Sequence, residues 1–171
     1  MGHDVKVVNP LPRMLRYQES RRSTHTGVAK APKRFNHGDV DVFSPRFWGL
    51  PGHPLPVLTS FSIKGKLRSI ERWLGDWRPD LIICHTVWPV AELANHLSHK
   101  WRIPWIGVVH GHDFDVGISD KNISKPILRL TKSANHLVTV SKRLDKIAKE
   151  LGVEKFSVIP CLNAVLGEWK K

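Results

Sequence analysis

The chain has 171 residues, 41% apolar and 25% charged, which is enough for a globular domain with its own core and too apolar for a disordered segment. No run approaches the roughly 18 consecutive apolar residues of a membrane span, no apolar run follows Met1 as in a secretory leader, and two cysteines, Cys84 and Cys161, make neither a disulfide framework nor a zinc cluster. Lysine and arginine outnumber aspartate and glutamate by 27 to 15, a net charge of +12 with histidines neutral; this favours anionic partners, and the expected compartment is the cytoplasm.

In chain order, Val5-Lys6-Val7-Val8 reads as a short β-branched strand ended by Asn9-Pro10. From Arg13 to Arg34 run seven basic residues (Arg13, Arg16, Arg21, Arg22, Lys30, Lys33, Arg34) against Glu19 alone. That stretch has neither helical nor strand period and is expected to be a long loop. Val40-Asp41-Val42-Phe43 is a second strand, followed by the breakers Pro45, Pro51-Gly52, Pro54 and Pro56. Between Ser62 and Trp77, apolar Ile63, Leu67, Ile70, Leu74 and Trp77 form one face of a single helix. Leu81-Ile82-Ile83-Cys84 reads as a buried strand, and Pro89 as the first turn of a helix carrying Val90, Leu93, Ala94, Leu97 and Trp101.

Trp105-Ile106-Gly107-Val108-Val109 is the next strand. A helix follows from Ser124 to about Ala134. Leu137 to Val140 is a strand, and Ser141 is placed to cap a helix whose apolar face is Leu144, Ile147, Ala148 and Leu151 and whose stop is Gly152. Phe156 to Ile159 closes the series at Pro160. Strands alternating with helices imply an α/β fold, an open doubly wound parallel sheet of Rossmann-like type. Right-handed crossovers then line up Asn9, His85, His110, Ser141 and Pro160 along one edge, where ligands of such sheets bind. The segment His110-Gly111-His112-Asp113 is therefore the leading candidate for chemistry.

Several stretches together resemble a known family. Gly2-His3-Asp4-Val5-Lys6-Val7-Val8 is similar to the second strand of the amino-terminal, acceptor-side domain of family-4-like retaining GT-B glycosyltransferases. Pro45-Arg46-Phe47 with Leu50-Pro51-Gly52 resembles their proline-rich loop. Arg78-Pro79-Asp80 to His85, with Pro89 beyond, resembles their strand ending in histidine. Ile103-Pro104-Trp105 to His110-Gly111-His112-Asp113 resembles their His-Gly-x-Asp strand end. Ala134 to Ser141 and Val158-Ile159-Pro160 resemble their last two strands. These stretches keep the family's order over nearly the whole chain, assigning residues 1–160 to the domain and 161–171 to a tail or shortened interdomain linker.

The resemblance implies sugar transfer with retention from a nucleotide-sugar donor to a polysaccharide or lipid-linked acceptor. It assigns His110 as the catalytic residue, placed to stabilise developing charge. His85, Gly111 and Asp113 become substrate-binding residues, with Asp113 either touching a sugar hydroxyl or capping a turn. Neither a metal nor a cofactor is expected. The family's opening strand and its nucleotide-binding second domain have no counterpart here, so the chain is expected to be an incomplete enzyme, inactive without a separate nucleotide-binding domain.

Other classes compete. His110-x-His112 followed by Asp113 and Asp115 approximates a zinc-hydrolase motif, but its aspartates fall one residue before and one after the required place. A non-catalytic module binding an anionic membrane surface is a further class, with Lys64, Lys66, Arg68 and Arg72 on the helix beginning at Ser62; an ordinary surface helix is the plainer account. No nucleic-acid signature is present, and no nucleic-acid partner is expected. For His85, a plain strand-end histidine bonded to backbone is the bland account. His112 is expected to face solvent, and Trp73, Trp77, Trp101 and Trp105 to fill core or helix–sheet contacts.

Overall fold

The computed structural model describes residues 2–13, 27–49 and 56–159. The chain divides into two compact units, Met1–Arg78 and Pro79–Lys171. Much of the basic loop, Leu50-Pro51-Gly52, and the segment from Pro160 through the expected tail lie outside the described residues.

In the first unit, β1 (Lys6–Val8) pairs in parallel with β4 (Val40–Phe43), and β3 (Arg34–His37) pairs antiparallel with β4. The β3–β4 connection is a tight hairpin, because His37 opposes Val40 and only Gly38-Asp39 lie between. Gly38 sits at φ 59, a left-handed conformation that glycine adopts without steric penalty. The basic stretch thus ends in a strand where a loop was expected. All four β3 residues are exposed, so the strand owes its existence to backbone pairing and carries no apolar alternation. A second short parallel pair joins β2 (Leu11–Pro12) to β5 (Arg46–Phe47).

The helix expected from Ser62 to Trp77 is two helices, α1 (Pro56–Lys64) and α2 (Leu67–Leu74). They break at Gly65-Lys66, where glycine's backbone freedom disfavours continuation. Ile63, Ile70 and Leu74 still face inward and are buried, so the periodicity identified the buried side but not the break. Trp73 stacks on Phe43 with ring centroids 5.4 Å apart, and Trp77 Nε1 donates to Asp4 at 2.6 Å.

The second unit carries a four-stranded, wholly parallel sheet in the order β6 (Ile82–His85), β7 (Trp105–Val109), β8 (His136–Thr139) and β9 (Phe156–Val158). The connecting helices are α3 (Ala91–Trp101), α4 (Ser124–Ser133) and α5 (Lys142–Glu150). This is the expected α/β architecture with a parallel sheet. Alternation along the strands turns Cys84, Trp105, Val109 and Leu137 to one face, where they pack with Ala91, Ala94, Ile127, Leu130, Leu144 and Ala148. Each fully buried Leu or Ile contributes about 1.5–3 kcal/mol. Gly107 makes room for this packing: a Cβ there would lie 3.1 Å from Leu137 Cδ1 and 3.4 Å from the Trp105 ring.

Trp105 is completely buried, as expected, whereas Trp101 is half-buried. Ser141 caps α5, its Oγ accepting from the Leu144 amide at 3.3 Å. Pro89 precedes α3 instead of opening it, and the Trp88–Pro89 bond is cis. Since the strands run in parallel, His85 and the residues following Val109 and Thr139 emerge at one edge of this sheet.

Candidate functional site

β6 and β7 end side by side, with His85 in register with Val108. His110 follows β7 directly. Both imidazoles are exposed, and they meet: His85 Nδ1 and His110 Nε2 are 3.0 Å apart. The ring centroids lie 5.3 Å apart with an interplanar angle of 21°, so the two rings meet edge to edge and close to coplanar. The structure thus brings together two histidines that come from different strands, 25 residues apart in sequence.

Thr86 lies just beyond His85 at φ 72. A β-branched residue rarely adopts this conformation, and the cost is of the order of 1–3 kcal/mol. The surroundings hold it there. Its amide donates to the Val108 carbonyl at 3.0 Å, and its carbonyl accepts from Cys84 Sγ at 3.3 Å. Burial, and secondarily the nearby Asp113 charge, push the Cys84 thiol up to about 12, so this cysteine is an inert packing group.

Asp113 is 2% exposed. Its Oδ2 accepts from the Val87 amide at 2.8 Å and its Oδ1 from the Trp88 amide at 3.0 Å. Both oxygens therefore secure the turn after β6, a cap made across strands instead of within its own turn. Burial raises the Asp113 carboxyl above its ordinary value; the Trp88 and Val87 amides, and then His112 and His110, pull it back down.

Gly111 sits at φ 105, and a Cβ there would stand 3.2 Å from Asp115 Oδ2. Its carbonyl accepts from the Phe114 and Asp115 amides at 2.9 and 2.7 Å. The chain then makes a wide π-type turn, Asp113–Gly117, in which the Ile118 amide reaches back to the Asp113 carbonyl at 3.0 Å. Such turns gather at functional sites. Gly117 packs against Ile127 so closely that a Cβ would come within 2.4 Å of Cδ1. His112 is exposed, as expected.

One pair escaped the sequence reading. Arg143, in the first turn of α5, grips Asp115 by a two-pronged ion pair, Nη1 to Oδ1 and Nη2 to Oδ2, the latter at 2.7 Å. The Arg143 hydrogen bond holds the Asp115 carboxyl below its ordinary value, and the pair raises Arg143. An arginine two residues after a capping serine at a strand end was the available signal. Among the described residues, no three His, Cys, Asp or Glu side chains gather in metal-binding geometry. The zinc-hydrolase arrangement is not assembled: His110 turns to His85, Asp113 to the Val87 and Trp88 amides, and Asp115 to Arg143.

Known proteins agree with this picture. The glycosyl transferase 4-like domain family matches residues 1–161. The chain is 26% identical over 166 residues to TuaC of Bacillus subtilis (strain 168), a protein assigned to teichuronic acid biosynthesis as a glycosyltransferase; the match covers 94% of this chain and 41% of TuaC. Its fold is similar to that of sucrose-phosphate synthase (tll1590) from Thermosynechococcus elongatus, with a TM-score of 0.52 at 10% identity over 91% of this chain and 48% of that one. The chain thus spans less than half the length of either protein. A family match across nearly all of its residues, on a parallel α/β fold with paired strand-end histidines, means that the chain belongs to the glycosyl transferase 4-like domain family.

Proposed function

We propose that this chain is the acceptor-side part of a retaining transferase that moves a hexose-type residue from a nucleotide-sugar to a polysaccharide or lipid-linked acceptor. The observation that carries the reading is the His85–His110 pair, exposed at the carboxyl edge of the parallel sheet of a glycosyl transferase 4-like domain. There His110 faces the reacting sugar and stabilises charge that develops during transfer, and His85 and the Gly111 turn line the same site. Asp113 acts through the turn it holds. The net charge of +12 suits an acidic acceptor, as does TuaC's assignment to teichuronic acid biosynthesis. Coverage of 41% of TuaC supports a nucleotide-gripping domain outside these residues, and no turnover by them alone. Saturation-transfer NMR tests this: acidic oligosaccharides should bind the chain, and H110A should weaken them. Binding that is absent, or indifferent to H110A, refutes it.

A second property is favoured by a specific surface. Val57, Leu58 and Phe61 of α1 are 75, 57 and 78% exposed, and neighbouring Trp48 is 64% exposed. The Trp48 amide donates to Ser62 Oγ at 2.6 Å, tying it to α1, and the Arg13 guanidinium lies 5.1 Å from its ring. An apolar ridge with an arginine at its edge suits the surface of an anionic membrane, consistent with a peripheral location on the inner face of the membrane. Among the described residues no helix is long and apolar enough to cross one. Sedimentation with acidic liposomes at low salt, lost on F61S and weakened by high salt, is the expected result. Indifference to lipid charge would refute docking.

A further inference from the structure

The hydrogen bond between His85 Nδ1 and His110 Nε2 constrains both rings at once. A neutral imidazole has one N–H donor and one bare acceptor nitrogen. If His85 Nδ1 donates, His110 Nε2 is bare, and both rings carry their proton on Nδ1. If His110 Nε2 donates, both carry it on Nε2. Mixed tautomers would set two donors or two lone pairs against each other at 3.0 Å.

The two outer nitrogens, His85 Nε2 and His110 Nδ1, therefore always differ. In either state one donates and the other accepts. We infer that His85 and His110 act as one tautomer-locked unit offering a matched donor and acceptor to sugar hydroxyls, each ring fixing the tautomer of the other. A hydroxyl both gives and takes a hydrogen bond, so neighbouring hydroxyls satisfy both nitrogens in either state. A fully ionised phosphate oxygen only accepts and would leave one nitrogen without a partner.

The framework holds the rings in register. Asp113 ties the turn after β7 to the amides of Val87 and Trp88, and the Thr86 amide fastens the end of β6 to Val108. The sugar-binding half of the inference rests on the transferase reading; the tautomer lock does not.

The test is long-range proton–nitrogen NMR of the 15N-labelled chain at about pH 8.5, two units above the ordinary imidazole range of about 6.5. Each ring reports the fraction of its proton on Nδ1. The two fractions should be equal. H85F, which keeps a ring but removes the nitrogens, should return His110 to the free-imidazole mixture, and H110F should do the same for His85. Unequal fractions in the wild type, or a His110 pattern unmoved by H85F, would overturn the lock. Equal fractions with no saccharide binding would instead sink the transferase reading and leave the lock standing.

Discussion

Asp113 Oδ2 accepts the Val87 amide at 2.8 Å across 26 residues of sequence. One carboxylate thereby fastens the turn after β7, which carries His110, to the turn after β6, which follows directly on His85. The placement of the histidines thus depends on a buried acid whose two oxygens are taken by the Val87 and Trp88 amides and not by either ring.

Asp113→Asn keeps the volume but turns one acceptor into a donor facing a backbone N–H. Leaving a buried donor without an acceptor costs about 1–3 kcal/mol. Part of this is offset because the amide carries no charge to desolvate. Asp113→Ala, which strands both amides, should cost more than Asn. Urea unfolding should give a lower midpoint in the order wild type, Asn, Ala. Equal midpoints for all three would show that the clasp is idle.

The two aspartates of the site should respond oppositely to pH. Asp115 is held below its ordinary value by Arg143, so its contribution is present above about 3.9 and lost as pH falls through the lowered value. Asp113 is raised by burial; its contribution is fully present below about 3.9 and lost as pH climbs through the raised value. In thermal melts, the gap between wild type and D115N should therefore close on acidification. The advantage of wild type over D113N should shrink as pH rises. Parallel curves would refute both assignments.

The alternation of β6 to β9 was legible because each strand is apolar and each helix that follows carries a clean buried stripe; β7 lies where the sequence put it, Trp105–Val109. What escaped were features set by pairing and not by pattern. β3 is exposed at every residue and exists only against β4. The helix break at Gly65-Lys66 is written in one glycine that periodicity overrides. At the site, His85, His110 and Asp113 were legible as residues at strand ends. Their partners were not, because the His85–His110 contact and the Asp115–Arg143 pair join separate strand ends. Spacing along the chain carries no information about distance across a sheet.

Two positive-φ residues allow strain and function to be separated. Thr86 is at φ 72 beside His85, and Arg102 at φ 56 closes α3. Glycine relieves left-handed strain at either position. R102G should raise stability by about 0.5–1 kcal/mol and leave the histidine NMR signals unchanged. T86G should also raise it, or hold it level, yet loosen the His85–His110 contact and shift their ring signals. A T86G variant with unaltered rings would show that the strain at Thr86 plays no part in aiming His85.

Gly117 offers the sharpest test of packing beneath the site. A Cβ there would sit 2.4 Å from Ile127 Cδ1, and Ile127 is fully buried, so the methyl has nowhere to retreat. G117A should destabilise by about 1–3 kcal/mol, the usual cost of an overpacked core. Ile127→Val removes the clashing Cδ1 itself, and alone costs about 0.5–1.5 kcal/mol. The double variant G117A/I127V should be more stable than the sum of the two single losses predicts, because the new Cβ occupies the space that the deleted methyl leaves. Simple additivity would mean that G117A acts through the backbone of the Asp113–Gly117 turn and not through Ile127. The His85 and His110 signals would then be expected to move with it, since that turn carries the Asp113 clasp.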